Sequence, residues 1–217
     1  MIISASELNT YNQCPRKYRL FFIDGHEYTN ERFKVGREAH NSCQAWVQGK
    51  DSRNNLPAGL KFEVRGMVRQ FQISWNQKGY NIAKPYKNNI EKEIEIKTKG
   101  GLTIITHIDI FHTKGVVEIK TSKFEIIKEE LEKNIQFPTY AKAYEIHTGN
   151  PGVIECFALG YSRWIYPYKL KKNYWKETIE TYYEIYDRIR GKLFDPIKSD
   201  NCFWCQYKKM GLCGEVK

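Results

Sequence analysis

The stretch "NNIEKEIEIKTKGGLTIITHIDIFHTKGVVEIKTS", residues 88–122, decides how this chain folds. Ile, Val and Thr alternate or run together in it, and Gly100-Gly101 and Lys114-Gly115 interrupt them. Period two with turn residues between the runs predicts three strands, roughly 89–98, 102–111 and 115–121, joined by hairpins. The third opens "GVVEIKTSKFE", in which Glu118 and Lys120 stand two apart and so project from one face of an apolar strand. Asp109 interrupts the apolar "TIITHIDIF" of the strand before it. A buried unpaired charge is expensive, and a buried Glu-Lys pair barely offsets its own desolvation, so stability explains these groups poorly. Two carboxylates converging on one point are a usual way to hold a hard divalent cation such as Mg2+. Strand ends that simply face solvent are the alternative. With a cation, a bound water is acidified and a phosphoryl oxygen neutralised while Lys120 orients the water, which is the chemistry of phosphodiester hydrolysis.

Outward from the strands the period changes. Ser4-Ala5-Ser6-Glu7 fits a capping box and starts a helix near Ser4 or Ser6 that runs to Cys14, where Pro15 disfavours further helical geometry and begins a second short helix. Residues 31–48 and 60–78 read as helices separated by the polar "GKDSRNNLPAG", residues 49–59. After the strands, 124–147 reads as one helix with Ile127, Leu131, Ile135 and Tyr140 near one face, ended by Gly149-Asn150-Pro151-Gly152. "VIECFALGYS" and "WIYPYKL" predict two more strands. A helix over about 171–191 carries the stripe Ile179, Tyr182, Tyr183, Tyr186 and Ile189, read as core rather than as a base-stacking platform. No internal repeat or low-complexity tract is present.

The 217 residues suit one well-buried domain with appendages, and 41% apolar with 14% aromatic residues is the composition of a folded chain. Thirty-five Lys and Arg against 25 Asp and Glu leave a formal charge of +10, which favours an anionic partner such as nucleic acid. The opening residues carry no signal-peptide pattern and no window approaches a membrane span, so a cytoplasmic protein is expected, inside a host cell if viral. Six cysteines in a reducing compartment point to metal or redox chemistry rather than disulfides. Cys202, Cys205 and Cys213 form C-x2-C-x7-C, and Cys14 offers a fourth thiol from the far end of the sequence. Four thiolates suit zinc and a 4Fe-4S cluster equally well by ligand count. Cys43 and Cys156 lack such spacing and read as core.

Taken in order, these parts resemble a RecB-type nuclease of the PD-(D/E)XK superfamily. The resemblance is to the iron-sulfur branch that includes the CRISPR-associated RecB-like exonucleases and the AddB nuclease domain. "SELNTYNQCPRKYRL" resembles that branch's opening helix with its first cluster cysteine, Cys14, and "GREAH", Gly36 to His40, its G-x-x-x-H motif. "HID" with Asp109 and "EIK" with Glu118 and Lys120 resemble the D…(D/E)-x-K signature, "QFPTY" the Q-x-x-x-Y motif, and "CFWCQYKKMGLC" the terminal cysteine triplet. Residue 108 is Ile rather than the eponymous Pro, and His107 stands where a Gly is frequent.

The resemblance implies an α/β (α+β) fold: a restriction-endonuclease-like central mixed sheet flanked by helices, with an iron-sulfur module joining the N- and C-termini. It implies a single nuclease domain over 1–217, comprising a helical part (1–88), a nuclease core (89–170) and a C-terminal helix with the cysteine module (171–217). The expected activity is cleavage of DNA with Mg2+ or Mn2+, by an exonuclease preferring single strands or ends, in recombination, repair, viral DNA metabolism or CRISPR adaptation. His40, Asp109, Glu118 and the Ile119 carbonyl would hold the cation, Lys120 would place the water, and Gln136 and Tyr140 would meet the substrate backbone. Cys14, Cys202, Cys205 and Cys213 would hold a 4Fe-4S cluster, with zinc as the alternative. Of Glu91, Glu93 and Glu95, which alternate on one face, Glu93 is expected at the metal. A DNA-binding scaffold that keeps the fold without catalysis is the competing class.

Overall fold

Where β-branched residues alternate across 88–122, the chain does form three strands. The computed structural model describes residues 2–27, 31–50, 58–80, 89–122, 125–161, 163–203 and 205–214; most of the 49–59 linker and residue 124 lie outside them. In chain order the elements are β1 (Ile2–Ser4), α1 (Ala5–Gln13), α2 (Pro15–Tyr18), a π-helical turn (Arg19–Ile23), α3 (Glu31–Val47), α4 (Lys61–Gln77), β2 (Ile90–Lys97), β3 (Thr103–His112) and β4 (Gly115–Ser122). There follow α5 (Lys128–Glu132), α6 (Gln136–Thr148), β5 (Val153–Gly160), β6 (Trp164–Tyr168), α7 (Tyr174–Arg190) and α8 (Gln206–Lys209), with short 3-10 turns at Ala58–Leu60 and Asp200–Phe203. The packing divides the chain into two units, one made of residues 29–94 and 106–170, the other of 1–28, 95–105 and 171–217.

The first unit is built on a mixed sheet. β3 and β4 pair antiparallel from Ile110↔Val117 to His112↔Gly115, β4 and β5 run parallel, β5 and β6 antiparallel, and β2 pairs with β3. The parallel β4–β5 pair needs a crossover, which α5 and α6 supply. Gly115 is required where it stands, because a Cβ there would fall 1.8 Å from the Val153 carbonyl oxygen on β5.

α3 and α4 cover one face. Val35, Ala39, Cys43 and Val47 of α3 and Val64, Met67, Val68, Phe71 and Trp75 of α4 pack on Ile110, Val117, Ile119, Phe157 and Leu159. Strand alternation sends Phe111 to the opposite face, where it stacks on Tyr144 of α6 at 4.7 Å between ring centres. Glu155, buried in β5, is matched by Lys78 and Tyr80, which engage its two carboxylate oxygens.

The expected single helix over 124–147 is instead two, α5 and α6, with a break at 133–135. Pro138 accounts for the break. In a continuous helix its ring would collide with the carbonyl of residue 134, whereas in the first turn of α6 its missing N–H costs nothing. Asn134 then caps the new start, its side-chain oxygen accepting the Gln136 N–H at 2.9 Å.

The second unit begins with β1, which the periodicity missed; it lies parallel to the start of β3, Ile2↔Thr103 to Ser4↔Ile105. Ser4 and Glu7 close the expected capping box at the start of α1. Along α7, Thr178, Tyr182 and Ile185 are buried, while the Tyr183 hydroxyl accepts the Gly100 N–H and donates to Thr98. Of the expected stripe only Tyr182 is buried, Ile179, Tyr183, Tyr186 and Ile189 being half-buried, so the buried line of the helix runs instead through Thr178, Tyr182 and Ile185. The Tyr207 hydroxyl of α8 donates to the His26 carbonyl at 2.7 Å and ties the cysteine-rich tail to the segment after the π turn. Among the described residues no helix is long and apolar enough to cross a membrane.

Candidate active site

β3 and β4 hydrogen-bond as a ladder as far as Ile110↔Val117, and one position further out the pattern changes. There the Asp109 carboxylate itself accepts the Ile119 N–H, Oδ2 to N at 2.7 Å, so a side chain replaces the backbone acceptor and the strands fork. Into the fork comes α3. Gly36 lets it approach, since a Cβ there would lie 2.7 Å from the Thr121 hydroxyl. One turn later His40 reaches Asp109, Nε2 to Oδ2 at 2.9 Å. One turn beyond that, the Gln44 amide donates to Glu91 Oε1 and lies 3.4 Å from the Asp109 carbonyl oxygen. Residues 36, 40 and 44 share a face because four positions nearly complete a helical turn.

Ligand atoms of His40, Glu91 and Asp109 lie within 4.8 Å of one another. Glu91, rather than the expected Glu93, occupies this place. Its φ of +49° departs from strand geometry, while Glu93 sits near the exposed His107, 3.9 Å away. Alternation puts all three glutamates on one side and cannot choose among them. The signal that was present is a helix signal, Gln44 at i+4 from His40.

Asp109 and Glu118 are buried, at 8% and 4% exposure, and Glu118 pairs through Oε1 with Lys120, whose side chain is 34% exposed. The other oxygen of Glu118, Oε2, is buried with no hydrogen-bond partner among the described residues. Burial, then the charge of Asp109, pushes the Glu118 carboxyl up to about 7 despite Lys120. Burial pushes Asp109 the same way, yet the His40 hydrogen bond and charge, Lys120 and the Ile119 N–H hold it below its ordinary value. Burial disfavours a charged His40, but Asp109, Glu91 and Glu118 outweigh it and raise its pKa. Lys120 is held charged in the same way, with burial overcome by Glu118 and then Asp109. Two neighbouring carboxylates thus titrate apart, one ionised and one proton-binding, which is a pattern of functional sites.

The donor set suits a divalent cation. Carboxylates and one imidazole within a small radius match Mg2+ or Mn2+, and the orphaned Glu118 Oε2 is a buried acceptor short of a positive partner. Gln136 and Tyr140 lie on α6, the amide donating to the phenol at 3.4 Å, and Tyr140 is only 2% exposed.

A family model described as the PD-(D/E)XK nuclease superfamily matches residues 2–210. The chain belongs to the PD-(D/E)XK nuclease superfamily. Phosphodiester hydrolysis in DNA, with Mg2+ or Mn2+, is the chemistry that membership implies. No curated protein matches the chain. Among solved structures it is similar to a candidate exonuclease from Eubacterium rectale, with 13% identity and a TM-score of 0.57 over 95% of this chain and 87% of that one. It is also similar to a protein called SSO0001, with 14% identity and a TM-score of 0.46 over 96% and 85% of the two chains. At such identities the first likeness shows the fold and the second carries no weight. Of the residues expected to form the D…(D/E)-x-K signature, Asp109 and Glu118 are buried in the fork and Lys120 beside them is a third exposed, while Ile108 is fully buried at the position expected to carry the motif's Pro.

The other unit holds the remaining expected ligands. Cys213 is buried and Cys14, Cys202 and Cys205 are half-buried, all as free thiols. Burial, then the nearby Cys14, Cys205 and Cys202, pushes the Cys213 thiol up, and Arg16 pulls it down. Cys14, Cys205 and Cys202 therefore lie within electrostatic reach of Cys213. The Ser199 N–H points at Cys202 Sγ, 3.4 Å away. An all-sulfur donor set of this kind fits a soft or borderline metal. Cys43 and Cys156 are core, as expected.

Proposed function

We propose that the protein is a divalent-cation-dependent DNA exonuclease of the RecB-like iron-sulfur branch. It acts on single strands or free ends in recombination, repair, viral DNA metabolism or CRISPR adaptation. The observation that carries this reading is the Glu118 carboxylate, buried beside Asp109 with one oxygen unpartnered and the other on Lys120. Such an arrangement is costly unless a cation completes it.

Asp109, Glu118, His40 and the Ile119 carbonyl would hold Mg2+ or Mn2+, with Glu91 as a further oxygen donor. When bound, the cation supplies an acidified water and neutralises charge on the phosphoryl oxygens. His40 serves as a neutral nitrogen donor kept in orientation by Asp109. Lys120, fixed by Glu118, holds its ammonium where it can orient the attacking water and steady the negative charge of the transition state. Gln136 would meet the substrate backbone from α6, with the buried Tyr140 acting through its bond to the Gln136 amide. The excess of 35 basic over 25 acidic residues favours the approach of a polyanion. Cys14, Cys202, Cys205 and Cys213 hold a 4Fe-4S cluster with a structural part, and the whole of 1–217 serves this one function.

The test is degradation of end-labelled single- and double-stranded DNA with Mn2+. Glu118→Ala and Lys120→Ala are expected to abolish cleavage while circular dichroism stays that of the folded chain. Unchanged cleavage in both would reject the site. A wild-type protein that binds the DNA and leaves it intact would replace the enzyme by a scaffold.

A further inference from the structure

Arg16, two residues after Cys14, carries a buried guanidinium nitrogen. Cys14 closes α1 in an extended conformation (φ −165°, ψ 110°), Pro15 opens α2, and Arg16 follows within the first turn of that helix. Its guanidinium Nε is buried and has no hydrogen-bond acceptor among the described residues. Arginine does not escape such a position by losing its proton, because it stays charged at any ordinary pH. A buried N–H of a permanent cation therefore calls for an anion that the described residues do not provide.

The cysteine site offers one. Four thiolates around an iron-sulfur core leave a net negative charge, and their sulfurs, with those of the core, accept hydrogen bonds. The Ser199 N–H already points at Cys202 Sγ, so one backbone donor addresses the site. Arg16 is within electrostatic reach of Cys213, which is the buried member of the four.

We propose that Arg16 is the charge partner of the four-cysteine group, its buried Nε–H donating to a sulfur of that group and its guanidinium setting the group's reduction potential. The inference rests on the reading of the cysteines as the ligands of a 4Fe-4S cluster. A fixed positive charge beside a cluster favours the more negative, reduced form and so raises its potential; a hydrogen bond to sulfur acts in the same direction. Arg16 is thus a positioning and tuning residue, not a ligand.

The experiment is a potentiometric titration of the whole protein, purified without oxygen, followed by the electron paramagnetic resonance signal of the dithionite-reduced cluster. Iron and acid-labile sulfide are counted in the same samples. With Arg16→Gln, the ratio of reduced to oxidised cluster at a fixed potential is expected to fall about tenfold, equivalent to about 59 mV for one electron. Arg16→Lys, which keeps the charge but lacks the Nε–H, is expected to fall between that variant and the wild type. Should Arg16→Gln fail to retain iron, the lysine variant alone carries the comparison. A full cluster at the wild-type potential in Arg16→Lys and in any iron-loaded Arg16→Gln would overturn the role of Arg16 and leave the cluster standing. Stoichiometric zinc with no iron in the wild type would overturn both.

Discussion

Replacing Glu118 by glutamine should make the metal-free protein more stable at pH 8 and leave it little changed at pH 5. In the folded chain burial and the Asp109 charge push this carboxyl from 4.5 up to about 7. Its folded-state pKa is raised, so the stability associated with its proton is present below about pH 4.5 and is lost as the pH rises through about 7. Above pH 7 the wild type must ionise the group inside the fork, at a cost on the order of 3 kcal/mol relative to the unfolded chain. Glutamine keeps a carbonyl oxygen for Lys120 and carries no charge. Lys120 then loses its nearest anion, which takes back part of the gain, so the net is about 1–3 kcal/mol at pH 8. For a chain of this size that is a rise in midpoint temperature on the order of 5 °C. The assay is urea unfolding with a chelator present, at pH 5 and pH 8, for wild type and Glu118→Gln. Added Mn2+ should reverse the order at pH 8, stabilising the wild type and not the variant. An equal effect of the substitution at the two pH values would refute the reasoning, because the difference between them comes from one titration.

Four more substitutions probe the arrangement around the fork. Glu91→Gln and Gln44→Ala are each expected to weaken Mn2+ binding by about 10–100-fold in a calorimetric titration, and Glu93→Gln to leave it unchanged; loss of affinity in the Glu93 variant alone would restore the original choice. Gly36→Ala pushes a methyl group into the Thr121 hydroxyl and should cost about 1–3 kcal/mol of stability while lowering Mn2+-dependent cleavage, since His40 moves with α3. Wild-type cleavage by that variant would show that α3 need not approach β4 so closely.

Much of the core was legible because its strands are alternating or continuous runs of Ile, Val and Thr set between clear turn residues. Ile90–Lys97, Thr103–His112 and Gly115–Ser122 follow the expected limits within a residue or two, and α1, α3, α4 and α7 follow theirs closely. Ser4 and Glu7 announced a helix start because the capping box is a local bond, readable from spacing alone. What failed was non-local or competed with periodicity. β1 is three residues long and owes its existence to a partner a hundred positions away. The break between α5 and α6 follows from the Pro138 ring, which an apolar stripe does not register. In the site, Asp109, Glu118 and Lys120 stood out because charges interrupt apolar strands. Gln44 did not, being an ordinary helical residue until its neighbour at Glu91 is known.

The forked end of β3 and β4 also constrains how the site can be dissected. The Asp109 carboxylate terminates the ladder by taking the Ile119 N–H. Removing it would free a buried amide and let the two strands drift, so an inactive Asp109 variant conflates lost chemistry with lost scaffolding. Among the described residues Lys120, a third exposed and bonded through its tip to Glu118, shows no such second duty in its side chain. Loss of function on its removal is the cleaner genetic instrument, and a dead-enzyme control for work in cells is better built there than at the aspartate.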